Sequence, residues 1–99
     1  MHFNLPRHIV VRGESMLPAL KPGQHCFVLP YYFSSPKIND VVLARDPRNN
    51  ALIIKRIAEV QKMGEHNLYT LHGDNAAKST DSRQLGQWDR KNILGRIFV

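Results

Sequence analysis

The chain has 99 residues, one cysteine and a formal net charge of +6. This length suits one domain with a single modest core. A lone cysteine excludes an internal disulfide and a cysteine-based zinc cage. No apolar run approaches the about 18 residues that would cross a bilayer. We therefore expect one soluble, cytoplasmic domain over residues 1–99, which touches a membrane only from its surface.

The basic residues are spread along the chain, in no long run and on no helix-like face. This distribution does not favour nucleic acid as a partner, although a basic nucleic-acid-binding β domain stays an alternative. Attraction to anionic lipid or to an acidic substrate explains the charge equally well.

Short apolar segments separated by turn residues dominate the chain. Little helical periodicity is visible, and a helical turn is predicted only after Pro18 or within 84–91. Several strands at short spacing indicate a mainly β fold, a small sandwich or barrel. The predicted strands cover residues 8–11, 26–29, 40–44, 52–60, 68–71 and 93–99.

Three consecutive aromatic residues, Tyr31, Tyr32 and Phe33, lie between Pro30 and Pro36. Side chains alternate along an extended chain, so the three cannot all face one side. We expect at least one to be exposed, where it could contact a membrane surface. The alternative is that two of them close one end of a barrel.

Ser15 lies in the segment Gly13-Glu14-Ser15-Met16-Leu17-Pro18. Pro18 fixes φ near about −65° and has no backbone N–H, so a regular strand cannot continue through it. Met16 could anchor this loop by burying its side chain. A serine before a bend more often caps a turn than acts as a nucleophile. The segment by itself favours the cap.

Lys55 lies within the most apolar segment of the chain, beside Arg56. Strand alternation places these two side chains on opposite faces, so one of them should face buried surface. Burial lowers the pKa of a lysine, and a neutral amine can take the proton of a serine hydroxyl. The alternative is an edge strand from which Lys55 reaches solvent.

A histidine-based catalytic site fits less well. The chain has no Gly-x-Ser-x-Gly segment. Its histidines show no carboxylate partner pattern and no metal-ligand spacing, so each is expected to be a surface or half-buried residue, and we expect no metal and no cofactor. The histidines on or beside predicted strands are His8, His25, His66 and His72.

Residues 72–86 are dense in short polar side chains that hydrogen-bond their own backbone. Such a stretch could be only a surface loop. Asp81 and Arg83 are nevertheless expected to make it rigid through charge-assisted hydrogen bonds. Ser79 could orient a neighbouring amine.

Together these three stretches resemble the signal peptidase I family, serine proteases that use a serine–lysine dyad. Their order and spacing match, and Lys55 lies 40 residues after Ser15. The resemblance implies a largely β catalytic core and a precursor protein as substrate. It implies that Ser15 is the nucleophile, Lys55 the general base, Ser79 the residue that orients the lysine, and Asp74, Asp81 and Arg83 bracing residues.

The Ser15 backbone N–H would then belong to the oxyanion hole. Gly13 lies where many bacterial members carry a hydroxyl residue as second donor, so that donor is unnamed. Gln24 replaces the aspartate of a usual Gly-Asp pair, and Asn39 replaces the glycine of another. Asparagine tolerates positive φ, so the second turn can survive.

The sequence contains neither the membrane anchor nor the accessory β domain of the exported-protein peptidases. We therefore expect a short soluble member, similar to the proteases that mature nickel-containing superoxide dismutase by removing an N-terminal extension. The alternatives are the catalytic core of a membrane-anchored signal peptidase and an inactive binding module. Self-cleaving repressor domains are disfavoured because the chain has no Ala-Gly or Cys-Gly bond. The sequence does not indicate an oligomeric state.

Overall fold

A computed structural model describes residues 7–99, and within this range the chain forms seven β-strands and three short helical segments. The mainly β fold is confirmed. The helical segments are two 3-10 turns, Ala76–Lys78 and Arg90–Asn92, and α1, Ser82–Leu85. The strands are β1 (His8–Val10), β2 (His25–Leu29), β3 (Val41–Arg45), β4 (Leu52–Met63), β5 (His66–His72), β6 (Trp88–Asp89) and β7 (Ile93–Phe98).

The described strands form one antiparallel sheet in the order β1-β2-β7-β3-β4-β5-β6. β4 changes partner along its length: residues 52–56 pair with β3, and Arg56–Met63 pairs with β5. A register shift between Ile57 and Glu59 follows this change of partner. As a result, β1 and the first half of β4 each have one edge that no described strand covers.

The central strand β3 is buried on both faces. Val42 and Ala44 belong to a core cluster that includes Tyr69 and Trp88. Leu43, between them, belongs to a second cluster with Met16, Leu20, Cys26 and Val28. Met16 is almost completely buried, which confirms that it anchors the Ser15 loop.

The predicted strands are all present, with different ends. β4 runs on to Met63 and β5 begins at His66, because Gly64, at φ +65°, forms the tight turn between them. β6 was not predicted, because a strand of two residues is too short to show alternation of apolar and polar side chains. Residues after Pro18 form a turn, in which the Leu20 N–H donates to the Met16 carbonyl, rather than an assigned helix.

The helix α1 begins at Ser82, earlier than the sequence indicated. Asp81 accepts a hydrogen bond from the Arg83 N–H, and the Gln84 side chain accepts one from the Asp81 N–H. This is a capping box, which the Asp81-x-x-Gln84 spacing could have shown. No helix within residues 7–99 is long and apolar enough to span a bilayer.

The three consecutive aromatic residues divide between core and solvent. Tyr31 is half-buried against the core, and its hydroxyl donates to Asp40 Oδ2 at 2.6 Å. Tyr32 and Phe33 are exposed, which confirms that at least one would be. Contact of this tip with a membrane surface stays a prediction, which vesicle co-sedimentation of a Phe33→Ser variant would check.

Candidate active site

Ser15 and Lys55 line the same groove, whose volume is about 440 Å³. One wall comes from β1 and the residues after it, and the other from the start of β4. The walls are apolar apart from Arg12, Ser15 and Lys55. The other lining residues are Ile9, Val10, Val11, Met16, Leu43, Leu52, Ile53 and Ile54.

Lys55 is the buried member of the Lys55–Arg56 pair, with 5% of its surface exposed. Its Nζ donates to Ser79 Oγ at 2.8 Å, and Ser79 Oγ donates to Asp81 Oδ2 at 2.5 Å. A hydroxyl has only one proton to donate, so Ser79 must accept from Lys55. A neutral Lys55 amine can keep this hydrogen bond while its lone pair stays free for another proton.

Burial lowers the pKa of Lys55 from its ordinary value. The charge of Asp81 opposes this shift, and the charge of Arg83 adds to it. The Ser79 hydroxyl stands between the Lys55 amine and Asp81, and among residues 7–99 no ion pair holds the lysine in its charged form. Desolvation therefore decides the direction of the shift.

Asp81 is fully buried and accepts hydrogen bonds from Gly73, Ser79 and Arg83. Burial alone would raise its pKa, but hydrogen bonds from Arg83, Ser79 and the backbone N–H groups of Gly73 and Arg83 outweigh burial and lower the pKa well below its usual range. Arg83 Nη2 lies 2.6 Å from Asp81 Oδ2 and also donates to the Gly73 carbonyl. The expected rigid Asp81–Arg83 pair is present.

Asp74 braces the opposite side of β4 through Arg56. The guanidinium donates from Nε and Nη2 to the two carboxylate oxygens of Asp74, both at 2.9 Å, and from Nη1 to the Asn39 carbonyl. Asn39 has φ +77°, so it does occupy the left-handed conformation in place of glycine. The Arg56 side chain thus links the β5 loop to the turn before β3.

The loop after β5 also holds the backbone of the Ser15 loop. The Asn75 N–H donates to the Ser15 carbonyl at 2.8 Å, and its side-chain amide donates to the Glu14 carbonyl at 3.1 Å. A Cβ at Gly73 would collide with Ser79 Oγ and lie 2.7 Å from the Ser15 carbonyl oxygen. Glycine at this position is therefore required for the close approach of the two loops.

The Ser15 N–H has no hydrogen-bond acceptor within residues 7–99. Its role in an oxyanion hole stays a prediction. Gly13 has φ +72°, a conformation that a β-branched or bulky residue rarely adopts. Glycine adopts this conformation without strain, and the second oxyanion donor stays unnamed.

Of the three predicted site residues, Ser15 and Lys55 line one groove, and Ser79 contacts Lys55. Lys55 Nζ makes its hydrogen bond to Ser79 and, within the described part of the chain, none to Ser15. Their catalytic roles stay predictions. Sequence reasoning gave no role to Gly73 and Asn75, although both lie in the stretch that carried the resemblance.

The model of the family described as signal peptidase, peptidase S26, matches residues 2–61, which is more than half of the chain. The match includes Ser15 and Lys55 and ends before the Ser79–Arg83 loop. No curated protein matches the chain. On the family match, the chain belongs to the signal peptidase family, peptidase S26.

Proposed function

We propose that this chain is a serine endopeptidase that removes an N-terminal extension from a precursor protein, with Ser15 as nucleophile and Lys55 as general base. The observation that carries the proposal is the buried Lys55 amine, which Ser79 holds at the groove that Ser15 also lines. Burial lowers the pKa of this amine, as a base that works near neutral pH requires.

The precursor segment would bind in an extended conformation. The groove lies between β1 and the first half of β4, and each has a backbone edge that no described strand covers. An extended peptide can pair with such an edge through its main chain. The apolar walls would then take alternate side chains of the bound segment.

In the first chemical step, Ser15 turns its hydroxyl toward the free lone pair of Lys55 as substrate fills the groove, since catalytic hydrogen bonds often tighten only in the complex. Lys55 accepts the proton, and Ser15 Oγ attacks the scissile carbonyl carbon. The Ser15 N–H donates to the resulting oxyanion, a contribution of about 3–4 kcal/mol per donor in such sites.

The tetrahedral intermediate then collapses as the C–N bond breaks. Lys55 returns its proton to the leaving amine, which departs as the new N-terminus, and an acyl ester remains on Ser15. A water molecule gives a proton to Lys55 as its oxygen attacks the ester carbonyl carbon. Lys55 then returns that proton to Ser15 Oγ as the ester C–O bond breaks and the acid product leaves. The cycle needs no group beyond this chain, the substrate and water.

The precursor of a nickel-containing superoxide dismutase is the specific substrate that we propose. Support comes from the resemblance of the sequence to the short proteases that mature this enzyme. The choice of substrate is more specific than the proposed cleavage reaction. It can be wrong while the reaction is right.

Incubation of the purified chain with that precursor, and separately with a precursor of an exported protein, tests both levels. We expect a new N-terminus by mass spectrometry, and we expect Ser15→Ala and Lys55→Ala each to abolish it. Ser34→Ala and Lys62→Ala, which change exposed residues elsewhere, are the matched controls. Cleavage retained in Ser15→Ala or Lys55→Ala would contradict the mechanism, whereas cleavage of the exported precursor alone would contradict only the substrate.

A further inference from the structure

Two histidines meet on the outer face of the β1–β2 pair. His8 lies opposite Phe27 and His25 lies opposite Val10, so the two histidines are diagonal neighbours. Both are exposed. His8 Nε2 lies 2.8 Å from His25 Nδ1, and the ring centroids are 4.9 Å apart with the planes tilted by 31°.

The ring-nitrogen lone pair that accepts this hydrogen bond is also the group that binds a metal ion. In a hydrogen bond between two imidazoles, one ring nitrogen carries the proton and the other presents its lone pair. When the donor ring moves this proton to its other nitrogen, a change of tautomer, both contacting nitrogens present lone pairs and both rings stay neutral. Neutral imidazole is the commonest protein ligand for metals.

The distance between the two nitrogens suits metal ligands at a right angle better than ligands at a tetrahedral angle. Metal–imidazole bonds are about 2.0–2.1 Å long, so two ligands at a right angle lie about 2.9 Å apart and two at a tetrahedral angle about 3.3 Å apart. The observed 2.8 Å is close to the right-angle value. Right-angle nitrogen ligands are typical of square-planar or tetragonal Cu²⁺.

We propose that His8 and His25 form a binding site for one divalent ion of the late first-row transition metals, with Cu²⁺ bound more tightly than Zn²⁺. No group of three or more potential metal ligands is found within residues 7–99. The pair therefore supplies two ligands and water supplies the rest. Such a site exchanges its ion readily, unlike a closed structural site.

A bound ion would link β1 to β2 at the edge of the sheet. β1 has three residues and pairs with β2, so it belongs to the part of the sheet expected to open first. Ile9 and Val10 of the same strand line the groove with Ser15. Metal binding would thus stabilise one wall of that groove, and this inference holds whether or not the chain cleaves a precursor.

Titration calorimetry with Cu²⁺ and with Zn²⁺ near neutral pH tests the site, with Mg²⁺ as the ion that should not bind. Every protein in the series carries His2→Gln, so that His2, which lies outside the described residues, adds no ligand. We expect one ion per chain and tighter binding of Cu²⁺. His8→Gln and His25→Gln should each weaken binding by about tenfold or more, because one of two ligands is lost. His66→Gln, at an exposed histidine of β5, should leave the affinity unchanged.

A second measurement on the unsubstituted pair does not depend on the variants folding. In histidine ring NMR with diamagnetic Zn²⁺, the resonances of His8 and His25 should shift together, while those of His66 and His72 should not. Hydrogen exchange of the β1 amides should slow on addition of Zn²⁺. Unchanged affinity in both histidine variants, or Zn²⁺-induced shifts at His66 or His72 without shifts at His8 and His25, would overturn the proposal.

Discussion

Lys55 and Arg56 are adjacent cations of the same strand, and the structure treats them in opposite ways. Lys55 is buried and meets a hydroxyl, and burial lowers its pKa. Arg56 is half-exposed and meets both carboxylate oxygens of Asp74, whose hydrogen bonds raise the pKa of the guanidinium. The difference teaches that a directly bonded carboxylate favours the charged form of a side chain, whereas burial beside a hydroxyl disfavours it.

The two carboxylates on these sides of β4 differ for the same reason. Asp74 forms an ion pair directly with Arg56. Asp81 forms its ion pair with Arg83 and contacts Lys55 only through the Ser79 hydroxyl. Direct contact between Asp81 and Lys55 would favour the charged amine. The Ser79 hydroxyl thus holds the lysine in place without forming an ion pair with it.

The largest expected effect comes from paired apolar substitutions of the two cations. Lys55→Met should lower kcat/KM for precursor cleavage by about 10²–10⁴-fold, the usual contribution of a general base. Its free energy of unfolding should stay equal or rise. Burial lowers the folded-state pKa of Lys55 below its unfolded value. The cost of burying this amine therefore begins as pH falls below the ordinary pKa of about 10.4 and is fully present below the folded-state pKa.

Arg56→Met is the matched control, because it should keep most of the activity and lose stability by leaving Asp74 without its partner. Cleavage rates and denaturant unfolding measure both proteins. Equal losses of activity in Lys55→Met and Arg56→Met would contradict the assignment of Lys55 as general base and of Arg56 as a structural residue only.

Ser79→Ala should have the next largest effect, because it removes the acceptor that positions the Lys55 amine. We expect kcat to fall by about 10²-fold while KM stays near its original value, as a misplaced catalytic group produces. Ser79→Thr keeps the hydroxyl and should restore much of the activity. Thr80→Ala, at the exposed neighbouring hydroxyl, should change neither constant. A rise in KM alone would assign Ser79 to substrate binding.

Asp81→Asn should move the pH profile of kcat/KM. The Asp81 charge raises the pKa of Lys55, so its removal should lower that pKa further and shift the rise of activity toward lower pH. A shift toward higher pH would contradict the assignment of Lys55 as the base.

Asp81→Asn should also change how the free energy of unfolding depends on pH. The folded-state pKa of Asp81 is lowered, so the charged side chain stabilises the fold above its ordinary pKa of about 3.9, and this contribution is lost as pH falls below that value. The unfolding free energy of Asp81→Asn should therefore be lower near neutral pH and fall less steeply in acid. An equally steep fall in both proteins would assign the acid sensitivity to other carboxylates.

Asp74→Asn should have the smallest effect. The side chains of Arg56 and Asp74 are 32% and 19% exposed, so solvent screens their attraction and the pair contributes about 1 kcal/mol or less to stability. Chemical denaturation should show a loss of that size, with cleavage almost unchanged. A loss of activity as large as that of Ser79→Ala would give the Arg56 side of β4 a role in positioning the site.

Local signals predicted much of the fold. The strands and turns were readable because alternation, glycine and proline act over a few residues. The resemblance placed Asn39 where the family has a glycine, and asparagine tolerates the positive φ that the structure shows there. The two-residue strand β6 and the start of α1 were missed, the first because it is too short to carry a pattern. The sequence also narrowed the buried cation to Lys55 or Arg56 without choosing between them.

The sequence by itself determined the β fold, the bend at Ser15 and the presence of a cation in a buried strand. Only the tertiary structure decided why Gly73 has no side chain and that Asn75 holds the Ser15 carbonyl. It also shows the Lys55–Ser79 hydrogen bond that the resemblance implied. It also paired His8 with His25, which seemed isolated in the sequence. These contacts join residues far apart in the chain, and their geometry depends on strand register and loop docking, which no local pattern encodes.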